Sequence, residues 1–168
     1  MTPADHIQGD ENAPLTLVEY GDYECPYCGL AYPIVKRIQK HFGKRLRFVF
    51  RNFPIVDSHP HAGIAAITAE FAATQHKFWE MHDLLYENQN YLDMPNLVNY
   101  AKSLGLSESD LQIAINNEQF ADKIQKDFTG GVRSGVNGTP TFFINGNRLD
   151  GSFDYENMLD ALNNAKEK

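Results

Sequence analysis

Residues 15–50 read as strand, helix, strand, and few folds accommodate that order with a cysteine pair at its first junction. Leu15–Glu19 (LTLVE) is apolar and β-branched until Gly21 and Asp22 interrupt it, the pattern of a buried strand. From Pro26 the pattern becomes helical. Leu30, Ile34, Val35 and Ile38 recur at spacings of three and four, and Gly43 ends the run. Leu46–Phe50 (LRFVF) reads as a second strand, closed by Asn52 and Pro54. A helix linking two strands is a crossover, and crossovers pair their strands in parallel.

Residues 58–128 contain no strand-like run. Ile64, Ile67 and Phe71 share one helical face, and Phe78, His82 and Leu85 share another. Pro95 opens a third helix with Leu97, Tyr100, Ala101 and Leu104 on one side and Gly105 after it. Ser107–Asp110 offers N-cap residues for a fourth. A fifth is expected from Glu118 to Phe128, with Gly130-Gly131 as a break. Thr141–Ile144 (TFFI) is a short strand, Asn145-Gly146 a two-residue hairpin turn, and Arg148-Leu149 the returning partner. Asp154 caps a final helix carrying Met158, Leu159 and Leu162. The order is β-α-β, several helices, then β-β-α. This is an α/β pattern in which the helical block interrupts two halves of one sheet layer.

Length and composition fit one globular domain: 168 residues, 42% hydrophobic and 22% charged, sustain a core without disulfide staples. A formal net charge of -7 argues against nucleic acid as a partner, which requires a basic face. No apolar stretch approaches the roughly 20 residues of a membrane span. The opening MTPADHIQGDENAP is polar and acidic and lacks the features of a secretory signal. The expected location is therefore cytoplasmic, with a periplasmic location as the alternative if a signal was removed.

The only two cysteines are Cys25 and Cys28, in YECPYC. A structural zinc site needs four ligands, and no second ligand pair shows the spacing that would complete one, so no metal is expected. A staple closing so small a loop removes little entropy from the unfolded chain. The redox reading has positive support. Pro26 suits the first helical position, and the two sulfurs share one face of the first turn. The helix N-terminus favours a thiolate at Cys25, while Cys28 sits one turn further in. A CxxC pair at a strand–helix junction of a βαβ unit is a strong signal.

At these residues, together with Gly138-Thr139-Pro140 directly before TFFI, the chain resembles a DsbA-like thiol-disulfide oxidoreductase of the thioredoxin superfamily. The resemblance runs from about Asn12 to Leu162. It implies a thioredoxin-like fold in a single domain over residues 1–168, with the core at about 12–56 and 131–168 and a helical insertion at about 57–130. It implies that Cys25 is the nucleophile, Cys28 the resolving thiol and Pro140 a cis-proline. Glu19 is then a buried acid serving Cys28, where by itself it would read as a charge at a strand end. Thr139, Pro26 and Tyr27 would meet substrate. No cofactor is implied. The partners would be protein thiols or disulfides and a separate redox partner for regeneration, with the chain acting as a monomer.

The family's best-known oxidants carry histidine where this chain has Tyr27, so Cys25 is expected to be less acidic than theirs and its disulfide less readily reduced. Two alternatives stay open: a glutathione-dependent reductase or transferase-like enzyme, since CPYC is also the glutaredoxin dipeptide, and a chaperone-like binding module.

Among the remaining residues, His59 or His61 either approaches the active site or lies in a solvated capping loop. Tyr23 and Tyr27 line a groove or cover the helix end. Glu24 opposes the thiolate if its charge is close, Phe78–His82 (FWEMH) is core, and Arg51 and Lys36 are solvated charges.

Overall fold

The computed structural model describes residues 1–166. Residues 167 and 168, included in the expected domain, lie outside the described residues. A five-stranded sheet has the order β1-β3-β2-β4-β5, with β1 at His6–Gly9, β2 at Leu15–Gly21, β3 at Leu46–Asn52, β4 at Thr141–Ile144 and β5 at Asn147–Arg148. The pair β2–β3 is parallel, as its crossover requires, and the other three pairs are antiparallel. The crossover is α1, Pro26–Phe42, followed by a single 3₁₀ turn at Gly43–Arg45. Between β3 and β4 run α2 (Ala62–Ala73), α3 (Phe78–Glu87), α4 (Met94–Ser103), α5 (Glu108–Asn116) and α6 (Ala121–Arg133), and α7 (Tyr155–Asn163) follows the hairpin.

Successive side chains of a strand point to opposite faces. Leu15 and Leu17 enter the main core with Phe48, Phe50, Phe142 and Ile144, and there they meet α1 and α7. Val18 and Tyr20 point the other way, into a smaller cluster with Phe53, Phe128 and Phe143. Glu19 shares the parity of Leu17 and is buried on the main-core side, level with Phe50 and Phe142.

Several local features differ from the sequence reading. Polar HIQG at residues 6–9 forms β1, because the edge of β3 offers unpaired backbone groups that any sequence can use. Gly130 and Gly131 do not break the chain but lie inside α6. A Cβ at Gly131 would stand 2.8 Å from the Phe53 ring and 2.9 Å from that of Tyr20, so the helix approaches the sheet where only glycine fits. Leu30 is 62% exposed, and α1 instead buries Cys28, Ala31, Val35, Ile38 and Phe42. Arg51 is not free in solvent: it pairs with Asp5 and donates to Tyr20 Oη at 2.8 Å. Lys36, in turn, pairs with Asp83 at 2.7 Å.

The helical block is bound to the sheet through aromatic packing. His82 of α3 is buried among Tyr23, Phe50, Phe78, Trp79 and Tyr86, and its Nδ1 pairs with Tyr23 Oη at 3.0 Å. Burial lowers its pKa well below the ordinary range, aided by the Lys36 and His6 charges, so the ring is neutral.

Candidate active site

Strand β2 delivers the chain to a tight turn at Asp22, whose carbonyl accepts from Cys25 N at 3.2 Å. Cys25 is the N-cap of α1 in an extended conformation, and Pro26 opens the helix without sacrificing a bond. Both cysteines are free thiols, Cys25 being 4% exposed and Cys28 fully enclosed.

The loop before β4 closes the site. Cys25 Sγ donates to Thr139 O at 3.4 Å, across 114 residues of chain, and the Thr139–Pro140 peptide bond is cis.

These surroundings act differently on the two thiols. The Cys28 thiol, donating to Cys25, lowers the Cys25 pKa to about 5. Burial opposes that shift, while the Thr139 side chain and the Cys28 and Tyr27 backbone N–H groups add to it. Burial raises the Cys28 thiol well above its usual range, helped by its bond to Cys25 and by the Glu19 charge. A value of about 5 falls between the roughly 3.5 of strongly oxidising pairs and the roughly 7 of reducing ones. Cys25 is thus less acidic than the first group, in line with the absence of a basic residue from its dipeptide.

Glu19 is 2% exposed, and burial, then the Cys25 charge, raises its pKa to about 8. Its Oε1 has no hydrogen-bond partner among the described residues. Its pKa falls near neutrality, so it can hold or release a proton beside the cysteine pair.

The structure therefore gathers Glu19, Cys25, Cys28, Thr139 and Pro140, with Pro26 in the same turn. Tyr27 is 63% exposed beside them. Tyr23 departs from its expected place: it is 1% exposed and stacked in the aromatic core, lining no groove. Its ring follows the inward parity of the turn, which its neighbourhood in sequence does not reveal.

Sequence reasoning does not single out Gln89 and Asp22 as parts of the site, and it weighs Glu24, His59 and His61 only as neighbours of it. Gln89, just after α3, donates through Nε2 to Tyr23 O at 3.0 Å and Cys25 O at 2.6 Å, so the helical block holds the redox turn directly. Asp22 binds His59, and Glu24 binds His61. For Gln89 the sequence carries no signal beyond a polar stretch. For the two acids, the alternating spacing of DYE and HPH was the available sign.

Comparison with known proteins agrees with this geometry. The family model Thioredoxin_4, described as thioredoxin, matches residues 1–164. The chain belongs to this family. It is a DsbA-like member of the thioredoxin superfamily, and the solved structures it resembles are of that kind. BdbD from Bacillus subtilis, in its oxidised form, superposes with a TM-score of 0.87 at 26% identity, over 95% of this chain and 91% of that one. A thioredoxin-like oxidoreductase from Silicibacter pomeroyi DSS-3 gives 0.85 at 25%, over 96% and 92%. The alpha-DsbA1 protein of Wolbachia pipientis, at 21% identity, covering 97% of this chain and 91% of its own, shares the fold with a TM-score of 0.83.

In sequence, the chain is 44% identical over 161 residues to a Salinispora arenicola protein named Na(+)/H(+) antiporter NhaA 1, covering 96% of this chain and 24% of that protein. A Herminiimonas arsenicoxydans protein named Na(+)/H(+) antiporter NhaA is 40% identical over 158 residues, covering 94% and 25%. The chain spans about a quarter of the length of these relatives. Among its described residues no helix is long and apolar enough to cross a membrane, and the antiporter name describes the longer proteins.

Proposed function

We propose that this DsbA-like domain exchanges a dithiol for a disulfide in protein substrates through its CPYC pair. The Cys25 thiolate attacks a substrate disulfide, forms a Cys25–substrate S–S bond and expels the first substrate sulfur as thiolate. Cys28, its proton passed to Glu19, attacks Cys25 Sγ, forms the Cys25–Cys28 disulfide and releases the second substrate thiolate. The substrate gains two electrons and the CPYC pair loses them, and run backwards the same steps oxidise a substrate dithiol. Thr139 offers backbone to an extended substrate segment, as added-strand recognition requires, while Pro26 and exposed Tyr27 flank the attacked sulfur. A separate dithiol or disulfide protein regenerates the monomeric domain.

The observation that carries this reading is the acidic, nearly enclosed Cys25 sulfur set against Thr139, with a more buried and less acidic Cys28 behind it. The test is trapping. Cys28→Ser, mixed with an unfolded disulfide-bonded protein, accumulates a substrate adduct that dithiothreitol releases, and Cys25→Ser accumulates none. Equal exchange by the Cys25→Ser variant would sink the reading in favour of a binding module. Faster turnover of a glutathione mixed disulfide than of a protein disulfide would favour the glutathione-dependent alternative. A reduction potential near -270 mV would fit the expected cytoplasmic setting, and one near about -120 mV an oxidising compartment.

A further inference from the structure

The turn before the nucleophile and the segment before α2 interlock pairwise. Asp22, its side chain fully enclosed, accepts on Oδ1 from Glu24 N at 2.8 Å, and on Oδ2 from Ile55 N and His59 Nδ1, each at 2.8 Å. Two residues on, Glu24 accepts on Oε1 from His61 Nδ1 at 2.9 Å and on Oε2 from His61 N at 2.6 Å. The spacing of two in DYE matches the spacing of two in HPH, so each acid meets one imidazole.

Two carboxylates within three residues of Cys25 would by themselves oppose a thiolate there. The interlock turns both of them onto histidines. The dipeptide between the cysteines holds no base, so any positive charge near Cys25 has to come from elsewhere in the chain. His59 is hydrogen-bonded to Asp22, and the charges that act on it most are those of Asp22, Cys25 and Glu24, all from the β2–α1 junction. Burial disfavours its protonation, but the Asp22 hydrogen bond and the charges of Asp22, Cys25 and Glu24 outweigh it and raise its pKa. Electrostatic coupling is reciprocal: a thiolate that favours the imidazolium is favoured by it to the same extent.

We propose that His59 is a positioning residue for thiol exchange: seated on Asp22, its imidazolium supplies the Cys25 sulfur with the positive charge that the CPYC dipeptide lacks, while His61 holds Glu24 away. This rests on Cys25 being the nucleophile. It follows that His59 holds its proton more tightly in the dithiol state than in the disulfide state, where Cys25 carries no charge. Reduction then draws a proton onto His59 around its titration range, and the reduction potential falls with rising pH more steeply there than it does without this residue.

The test uses the thiolate ultraviolet absorbance of the reduced protein as a function of pH. His59→Asn keeps a donor toward Asp22 but no charge, and should lower the thiolate fraction on the acidic limb about threefold to tenfold. His59→Lys, which restores a cation, should recover most of it. A purely structural His59 would instead make Asn and Lys behave alike. In the unmodified protein, the nuclear magnetic resonance titration of His59 should shift to lower pH on oxidation. Identical His59 titrations in both redox states, or an unmoved thiolate titration in a folded His59→Asn variant, overturns the proposal. Neither measurement involves substrate, so failure of the exchange reading in the trapping experiment is a separate result.

Discussion

Glu19 and Cys25 are displaced in opposite directions within one small volume. Burial raises Glu19 from 4.5 to about 8, so the folded protein holds a proton there that the unfolded chain releases. A raised acid contributes stability fully present below its unfolded pKa and lost as pH rises through the folded one. Relative to Glu19→Gln, the wild type should therefore lose about 3–5 kcal/mol between pH 4.5 and 8, read from urea unfolding of the reduced proteins. A flat difference across that window would mean Glu19 is solvated in solution. Cys25 has the opposite sign. Its thiol is lowered from 9.0 to about 5, so its contribution grows between those values and partly masks the Glu19 slope in wild type. The same substitution should slow resolution of the mixed disulfide at least about tenfold, because Cys28 loses its proton acceptor.

At the scale of elements, α6 offers a contrast between adjacent residues. Gly130 has nothing closer to a prospective Cβ than Tyr20 Oη at 3.9 Å, whereas at Gly131 the Phe53 ring stands at 2.8 Å. Alanine is the better helix former by about 1 kcal/mol at either position. Gly130→Ala should therefore raise the melting temperature by about 2–4 °C. Gly131→Ala adds overpacking of about 1–3 kcal/mol against the sheet and should lower it. Equal effects would mean that α6 stands off from Phe53. Helix starts are simpler: Ser107 and Asp154 accept from the N–H three residues on, as their residue types and positions suggest, and Asp93 does the same before Pro95. The Ser107 and Asp154 caps were legible because a cap involves only its own turn.

Across the whole molecule, one buried polar network joins the sheet to the helical block. Glu70 of α2 binds His6 of β1 at 2.9 Å, Asn52 of β3 at 2.7 Å and Lys123 of α6 at 3.6 Å, and Lys123 pairs in turn with Asp127. Burial works against the Glu70 charge, but the His6 hydrogen bond and charge, then Lys123 and Asn52, outweigh it and lower its pKa. A lowered carboxylate contributes stability above its unfolded value, lost as pH falls below about 4.5. Glu70→Ala, which removes the shared partner of His6, Asn52 and Lys123 and leaves the last two only Asp127, should cost about 1–3 kcal/mol at neutral pH. Glu70→Gln should flatten the acid limb of the unfolding curve relative to wild type. Retention of the wild-type acid limb would assign it to other carboxylates.

By itself the sequence determined what depends on neighbours along the chain. The period of apolar residues placed β2, α1 and β3, proline set the start of α1, Asn145-Gly146 turned the hairpin, and the CxxC spacing put both sulfurs on one turn. These choices are decided by backbone geometry over a few residues. Only the tertiary structure decided which side chains meet across the sheet and the helical block. It turned Leu30 outward and Tyr23 inward, paired the polar β1 with an open edge and ran α6 through two glycines. It also brought Thr139, Glu19, Gln89 and His59 to one pair of cysteines. Burial and charge at that pair come from segments as many as 114 residues apart, and proton affinity responds to distance in space rather than in sequence.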